Sequence, residues 1–186
     1  MNISELVADH VEVLKHTKID GCRRNKGPMD LQPMMVWVDS DDDTNIAILE
    51  TKGEGVLDYV PQTLGLVAQQ NPKFIIFMAE SWARAIDKSE VDEFLGSHKP
   101  GDLQKLHDSR GPLSNVKQLI AFNGLDTDSG EQVHGFVEFT YDDFGIPVFA
   151  EPRIAVVPDD QIDNANMTYL FGEFYKFMTK VRGLDQ

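Results

Sequence analysis

Apolar residues recur at helical spacing near the start of the chain, at Ile3, Leu6, Val7, Val11 and Leu14, behind an Asn2/Glu5 pair spaced as a capping box. The spacing predicts a first helix of about 13 residues that ends before a linker from Gly21 to Pro28. The pattern then changes. Met34 to Val38 (MMVWV) is continuous and apolar, Asn45 to Thr51 (NIAILET) is similar, and the acidic stretch Asp39 to Thr44 lies between them. Together they predict a β-hairpin with a charged loop. Helical spacing returns at Val56, Val60, Leu64 and Val67, with Pro61 in the first turn behind a cap near Asp58, and stops at Asn71 and Pro72. Lys73 to Ala85 (KFIIFMAESWARA) begins as a strand buried on both faces and turns mixed near Glu80, which places it at the centre of a sheet.

From Asp87 to Pro112 the glycines and prolines multiply, and the segment reads as a long excursion with helical turns near Ser89 to Leu95 and Asp102 to His107. A second hairpin follows, Asn115 to Phe122 and Glu131 to Tyr141, joined across Asn123 to Gly130. Two short β pieces, Pro147 to Ala150 and Arg153 to Val157, carry prolines in or beside them that suit edge positions. The closing helix runs from about Asp159 or Asn164 to Arg182, with Leu170, Phe174, Phe177, Met178 and Val181 as its apolar face. Consecutive strands without regular helical crossovers predict an α+β class. The expected architecture is a mostly antiparallel sheet with an N-terminal, a middle and a C-terminal helix packed on one of its faces.

Composition narrows the setting. A chain of 186 residues, 41% hydrophobic and with 11 Phe, suits one domain spanning 1–186 with its own core. Cys22 is the only cysteine, so an internal disulfide or thiolate zinc cluster is excluded and a reducing, cytoplasmic setting is expected. No stretch has the length and apolarity of a signal core or a membrane span, so no membrane role is expected. A formal charge of −14 repels nucleic acid on average, and direct nucleic-acid binding is not expected. The one basic cluster, Arg23, Arg24 and Lys26 among Gly21, Gly27 and Pro28, reads as a solvated connector.

Several residues invite chemistry. Asp39, Asp41, Asp43, Asn45 and Glu50 are spaced as the ligands of a helix-loop-helix calcium site. Thr44, however, stands where that loop needs Gly, and the flanks are β-like, so a charged hairpin tip is expected and no metal is assigned. His98 and His107 bracket Asp102, without a standard zinc spacing. The remaining histidines are His10, His16 and His134, the last of which alternates with Phe136 in a strand. Glu80, Ser81, Trp82 and Arg84 collect an acid, a hydroxyl, an aromatic and a base at the polar end of the central strand. The alternative there is that Glu80 pairs with Arg84 or a neighbour on its sheet face while Trp82 packs. Cys22 has cations beside it but no base, and no nucleophile elbow, phosphate-binding glycine loop or HExxH occurs.

FIIFMAESWARAI, followed by HKPGDLQKLHD and NVKQLIAF, resembles a loose group of uncharacterised bacterial and bacteriophage proteins in which a hydrophobic strand runs into an acid-small-Trp triplet. The likeness covers roughly residues 56 to 141, and SHKPGD departs from the Ser-Glu-Pro-rich loop of that group. It implies a phage or bacterial origin and carries no activity to any residue.

With no catalytic constellation and no cofactor motif, the leading expectation is an accessory protein that binds a protein partner. Its working surface is expected to combine Glu80, Trp82 and Arg84 with His98, Asp102 and His107 from the excursion. The alternatives are an enzyme or small-molecule-sequestering protein using the end of the central strand, and an acidic mimic of nucleic acid.

Overall fold

A computed structural model describes residues 2–49, 59–84, 116–158 and 166–183, with 82–84, 116 and 166 described by their backbone. The first helix, α1, spans Ile3–Asn25 and opens on the expected capping box, in which Asn2 Oδ1 accepts from Glu5 N and Glu5 Oε2 accepts from Asn2 N. It is longer than its apolar spacing predicts. Lys18, Gly21 and Cys22 continue the inward face, so the residues expected to begin a linker are helical. Met29 folds back across Gly21: a Cβ there would lie 2.3 Å from Met29 Cε, and the flexible thioether end would have to move aside. Lys26 ends the helix in the left-handed conformation at φ 56°, and Arg23, Arg24 and Lys26 are exposed on and just beyond its last turn.

The strands are β1 (Met34–Val38), β2 (Thr44–Ile48), β3 (Phe74–Arg84), β4 (Val116–Asp126), β5 (Gln132–Tyr141), β6 (Pro147–Phe149) and β7 (Arg153–Val156). They form one sheet in the order β2-β1-β3-β4-β5-β6, and every pairing is antiparallel. The outer edge of β5 is shared: β6 pairs Phe139 to Tyr141 and β7 pairs Val133 to Phe136. The class is α+β, as the sequence predicts, and β3 lies inside the sheet.

Helices cover both faces of the sheet, not one. On the first face α1 lays Ile3, Leu6, Val7, Val11 and Leu14 onto Val36, Ile76, Met78, Ile120, Phe122, Val133 and Val137. On the second, α2 (Val60–Val67) and α3 (Asn166–Val181) pack against Met35, Trp37, Ile75, Phe77 and Leu125. The strand run Ile75-Ile76-Phe77-Met78 is apolar without alternation because its residues feed both cores in turn.

Two further expectations change in detail. β4 runs on through Asn123 and Gly124 to Asp126, so the hairpin turn is shorter than expected; Gly124 serves close packing, since a Cβ there would lie 2.8 Å from Val7 Cγ2. In α3 the buried apolar side chains are Met167, Phe171, Phe174 and Met178, while Phe177 and Val181 are exposed. The apolar stripe is wider than the sheet can cover. The C-terminal end of α3 is anchored by Arg182, whose guanidinium donates to Asn71 Oδ1, Pro72 O, Thr127 O and Asp128 Oδ1 at 2.8 to 3.0 Å.

Candidate functional site

Glu80 marks the polar end of β3, and the structure turns it inward. Its Oε2 accepts from Lys18 Nζ at 2.7 Å and from the Leu31 backbone N–H at 2.9 Å. The partner is therefore a helix lysine rather than a strand neighbour. Lys18 is fully buried; its ammonium also donates to Met29 O at 2.6 Å and stands 4.6 Å from the Phe139 ring centre and 5.5 Å from that of Tyr141. Desolvation pushes its pKa down, but hydrogen bonds and charge from Glu80 and the Tyr141 hydroxyl reverse this and hold it above the ordinary lysine value. Burial raises the Tyr141 phenol as well, against the opposing pull of Lys18. An ammonium with its protons engaged and its lone pair absent is no nucleophile. The group instead ties α1, the connector before β1 and the sheet together.

Lys18 was missed by the sequence reading, although it left a signal. It stands four residues after Leu14 and seven after Val11, in phase with the buried face of α1. A cation at such a position demands a buried acceptor, and Glu80 is the one acid in the apolar run FIIFMAE.

Trp82 and Arg84 belong to β3 by backbone, where they pair with Gln118 and Val116. Their side chains, and His98, Asp102 and His107 with the whole excursion, lie outside the described residues. Next to this end of β3, an open groove of ≈ 500 Å³ is lined by Lys117, Gln118, Glu138, Thr140 and Val148, with Lys117 and Glu138 paired at 2.7 Å. A second groove of ≈ 490 Å³ lies over β4, β5 and β7 and contains Asn123, His134, Phe136 and Arg153.

The calcium-like run is a hairpin, β1 to β2, turning through Asp42 at φ 66°. Asp39 Oδ1 accepts from Asp41 N and Asp43 N, and its Oδ2 accepts from Asn45 Nδ2. Desolvation raises the Asp39 pKa, but these bonds together with the charge of Lys73 outweigh it and the net direction is down. Asp126 and Asp142 cap their turns in the same way, each accepting two backbone N–H groups. The Asp126 and Asp142 turns lie at opposite ends of β5, and the Asp39 turn lies at the Asp126 end, where Val38 pairs with Phe74 and Phe74 with Asp126; local hydrogen bonding accounts for the position of each of these acids. Glu50 lies outside the described residues. Among the described residues no cluster of three or more His, Cys, Asp or Glu is placed to hold a metal ion, and no helix is long and apolar enough to cross a membrane.

The two edges of the sheet differ. The β6/β7 edge is broken into two short pieces with Pro147 at the start of one and Pro152 just before the other. The β2 edge is continuous. In the β1–β2 ladder, Asp39 N donates to Asp43 O and Leu49 N donates to Pro33 O, so by alternation Asn45 and Ala47 turn their backbone groups towards β1. Thr44, Ile46 and Ile48 turn theirs outward. The side chains of Ile46 and Ile48 are each 62% exposed. The chain matches no family model, no curated protein and no solved structure.

Proposed function

We propose that this protein is a binding module for another protein and that it takes an extended segment of its partner as an added strand on β2. The β2 edge, on which no other strand pairs among the described residues, carries this reading. Exposed edge strands are aggregation templates, and proteins normally blunt them with Lys, Pro, bulges or brevity. The opposite edge of this sheet is blunted in that manner, whereas TNIAI has neither Lys nor Pro and presents two exposed isoleucines beside outward backbone groups. A partner strand satisfies those groups and covers Ile46 and Ile48.

Charge specifies the partner further. Asp41 and Asp43 are exposed at the tip beside this edge, and the chain carries −14, which disfavours a second copy of itself. The fitting occupant is an extended segment of a different protein with alternating apolar side chains and a Lys or Arg facing the tip.

Ile46→Pro tests the reading cleanly, because it removes an outward N–H that β1 does not use. Immobilised wild type and Ile46→Pro, both shown to be folded by circular dichroism, are exposed to lysate and their retained proteins compared. The expected result is a stoichiometric partner held by wild type and lost by the variant, with slowed amide exchange at Thr44, Ile46 and Ile48 in the complex. Equal retention by both proteins, or no stoichiometric partner for either, overturns the proposal.

A further inference from the structure

We propose that the outer half of the sheet carries a second site, for a small organic anion with a planar apolar body bearing a carboxylate or phosphate, on Arg153, His134 and Asn123. The site is independent of the β2 edge. Register sets its geometry: Asn123 stands opposite His134 across β4 and β5, His134 opposite Ala155, and Phe136 opposite Arg153 across β5 and β7. Directly paired residues of neighbouring strands share a face, so Asn123, His134, Phe136 and Arg153 all face the same groove of ≈ 490 Å³. That volume is in the range of small-molecule sites.

Arg153 is the informative member. In a chain with 31 acids against 17 bases, an arginine has many acids to pair with. Yet this guanidinium has no carboxylate partner among the described residues; its contact is the Phe136 ring, 5.4 Å away. Stacking holds the planar cation while leaving its N–H fork free for a carboxylate or phosphate. His134 and Asn123 likewise have no side-chain hydrogen bond among the described residues, and add donors on the same floor.

Gly135 shapes the site. A Cβ at this position would lie 1.9 Å from Arg153 O and 2.5 Å from the Phe122 ring. Only glycine lets β7 approach β5 closely enough to set Arg153 over Phe136. On this face Ala155, with the neighbouring Pro152 and the Phe136 ring, accepts the apolar body of the ligand.

Benzoate, phenyl phosphate and inorganic phosphate are the probes, titrated into the full chain while backbone amide signals are followed by NMR. At least one aromatic probe is expected to bind saturably with a Kd of about 1 mM or tighter, shifting the amides of Asn123, His134 and Phe136. The better of benzoate and phenyl phosphate identifies the head group. Arg153→Gln is expected to weaken binding about tenfold or more without changing the circular dichroism spectrum, and Arg153→Lys, which keeps the charge but not the fork, should fall between. Absence of saturable binding, or equal binding by wild type and Arg153→Gln, overturns the site. Inorganic phosphate binding as tightly as the aromatic probes overturns the apolar-body assignment.

Discussion

Under α1 the sheet buries Val36, Ile76, Ile120, Phe122 and Val137 together with an ammonium and a nearly buried carboxylate; under α2 and α3 it buries Met35, Trp37, Ile75, Phe77 and Leu125 with no charged group among the described buried residues. The second face is held by apolar area and shape, with the Trp37 indole N–H satisfied by Gln70 Oε1 at 2.9 Å. The first adds the Lys18–Glu80 tie, whose formation needs α1, the Met29–Leu31 connector and β3 all in place. Apolar contacts tolerate small shifts, but an ion pair under a helix selects one register of that helix on the sheet. The two faces should therefore fail differently when perturbed.

The largest effect is expected from Lys18→Ala, which strands a nearly buried carboxylate and removes a packed four-carbon stem. A loss of about 3 to 5 kcal/mol is expected from urea denaturation. Lys18→Met combined with Glu80→Gln should recover most of it, because the neutral amide oxygen can still accept from Leu31 N–H. A single variant that unfolds with the parent would show the pair to be ornamental.

The same tie gives the first face a pH dependence. Lys18 and Tyr141 are both raised on folding, above 10.5 and 10.0 respectively. The folded state then holds more protons than the unfolded chain at alkaline pH, so the associated stability is full below about pH 10 and drains as pH climbs through the folded values. Melting temperature followed from pH 8 upward should fall more steeply in wild type than in the Lys18→Met, Glu80→Gln protein. Parallel curves would remove the charge from the explanation.

Ile76→Ala and Phe174→Ala sharpen the comparison from the apolar side, one on each face. Each is expected to cost about 2 to 5 kcal/mol as a buried large-to-small change, since Ile76 is 1% and Phe174 6% exposed. Unlike the Lys18 effect, these losses should be the same at pH 7 and pH 10. A variant melting with the parent would mean that its face is not a core.

How far the sequence discloses this architecture follows from the same contrast. The apolar runs of β1 and β3 and the capping box of α1 were legible because burial of apolar side chains is periodic and local. The length of α1 was not, because Lys18 and Gly21 are weak core signals unless their distant partners, Glu80 and Met29, are known. Phe177 and Val181 were assigned inward because periodicity marks an apolar stripe without showing how wide a surface awaits it. At the candidate sites, Glu80 stands out as the one acid at the end of an apolar run, but its Lys18 partner is 62 residues away. The exposed β2 edge and the Arg153 groove depend on which strand ends a sheet and which residues face each other across strands, and neither is written in local spacing.

The smallest predicted effects come from two glycines, and their signs should be opposite. Gly65 lies in α2 on the second face, where an added Cβ meets nothing within 4 Å. Gly65→Ala should stabilise the protein by up to about 1 kcal/mol, because alanine loses less backbone entropy in a helix. Gly124 lies in β4 beneath α1, where the Cβ would meet Val7 Cγ2 at 2.8 Å, Val133 Cγ2 at 2.9 Å and Ile3 Cδ1 at 3.0 Å. Two of these atoms belong to short branched side chains that cannot swing aside, so α1 must lift. Gly124→Ala should cost about 1 to 3 kcal/mol as overpacking. Lifting α1 also loosens the approach of Lys18 to Glu80, so the Gly124 variant should lose part of the alkaline dependence while the Gly65 variant keeps all of it. Thermal unfolding of both at pH 8 and above pH 10 separates the cases. A Gly124→Ala protein as stable as wild type with an unchanged alkaline profile would show that α1 does not press on the sheet closely enough to fix the register of the ion pair.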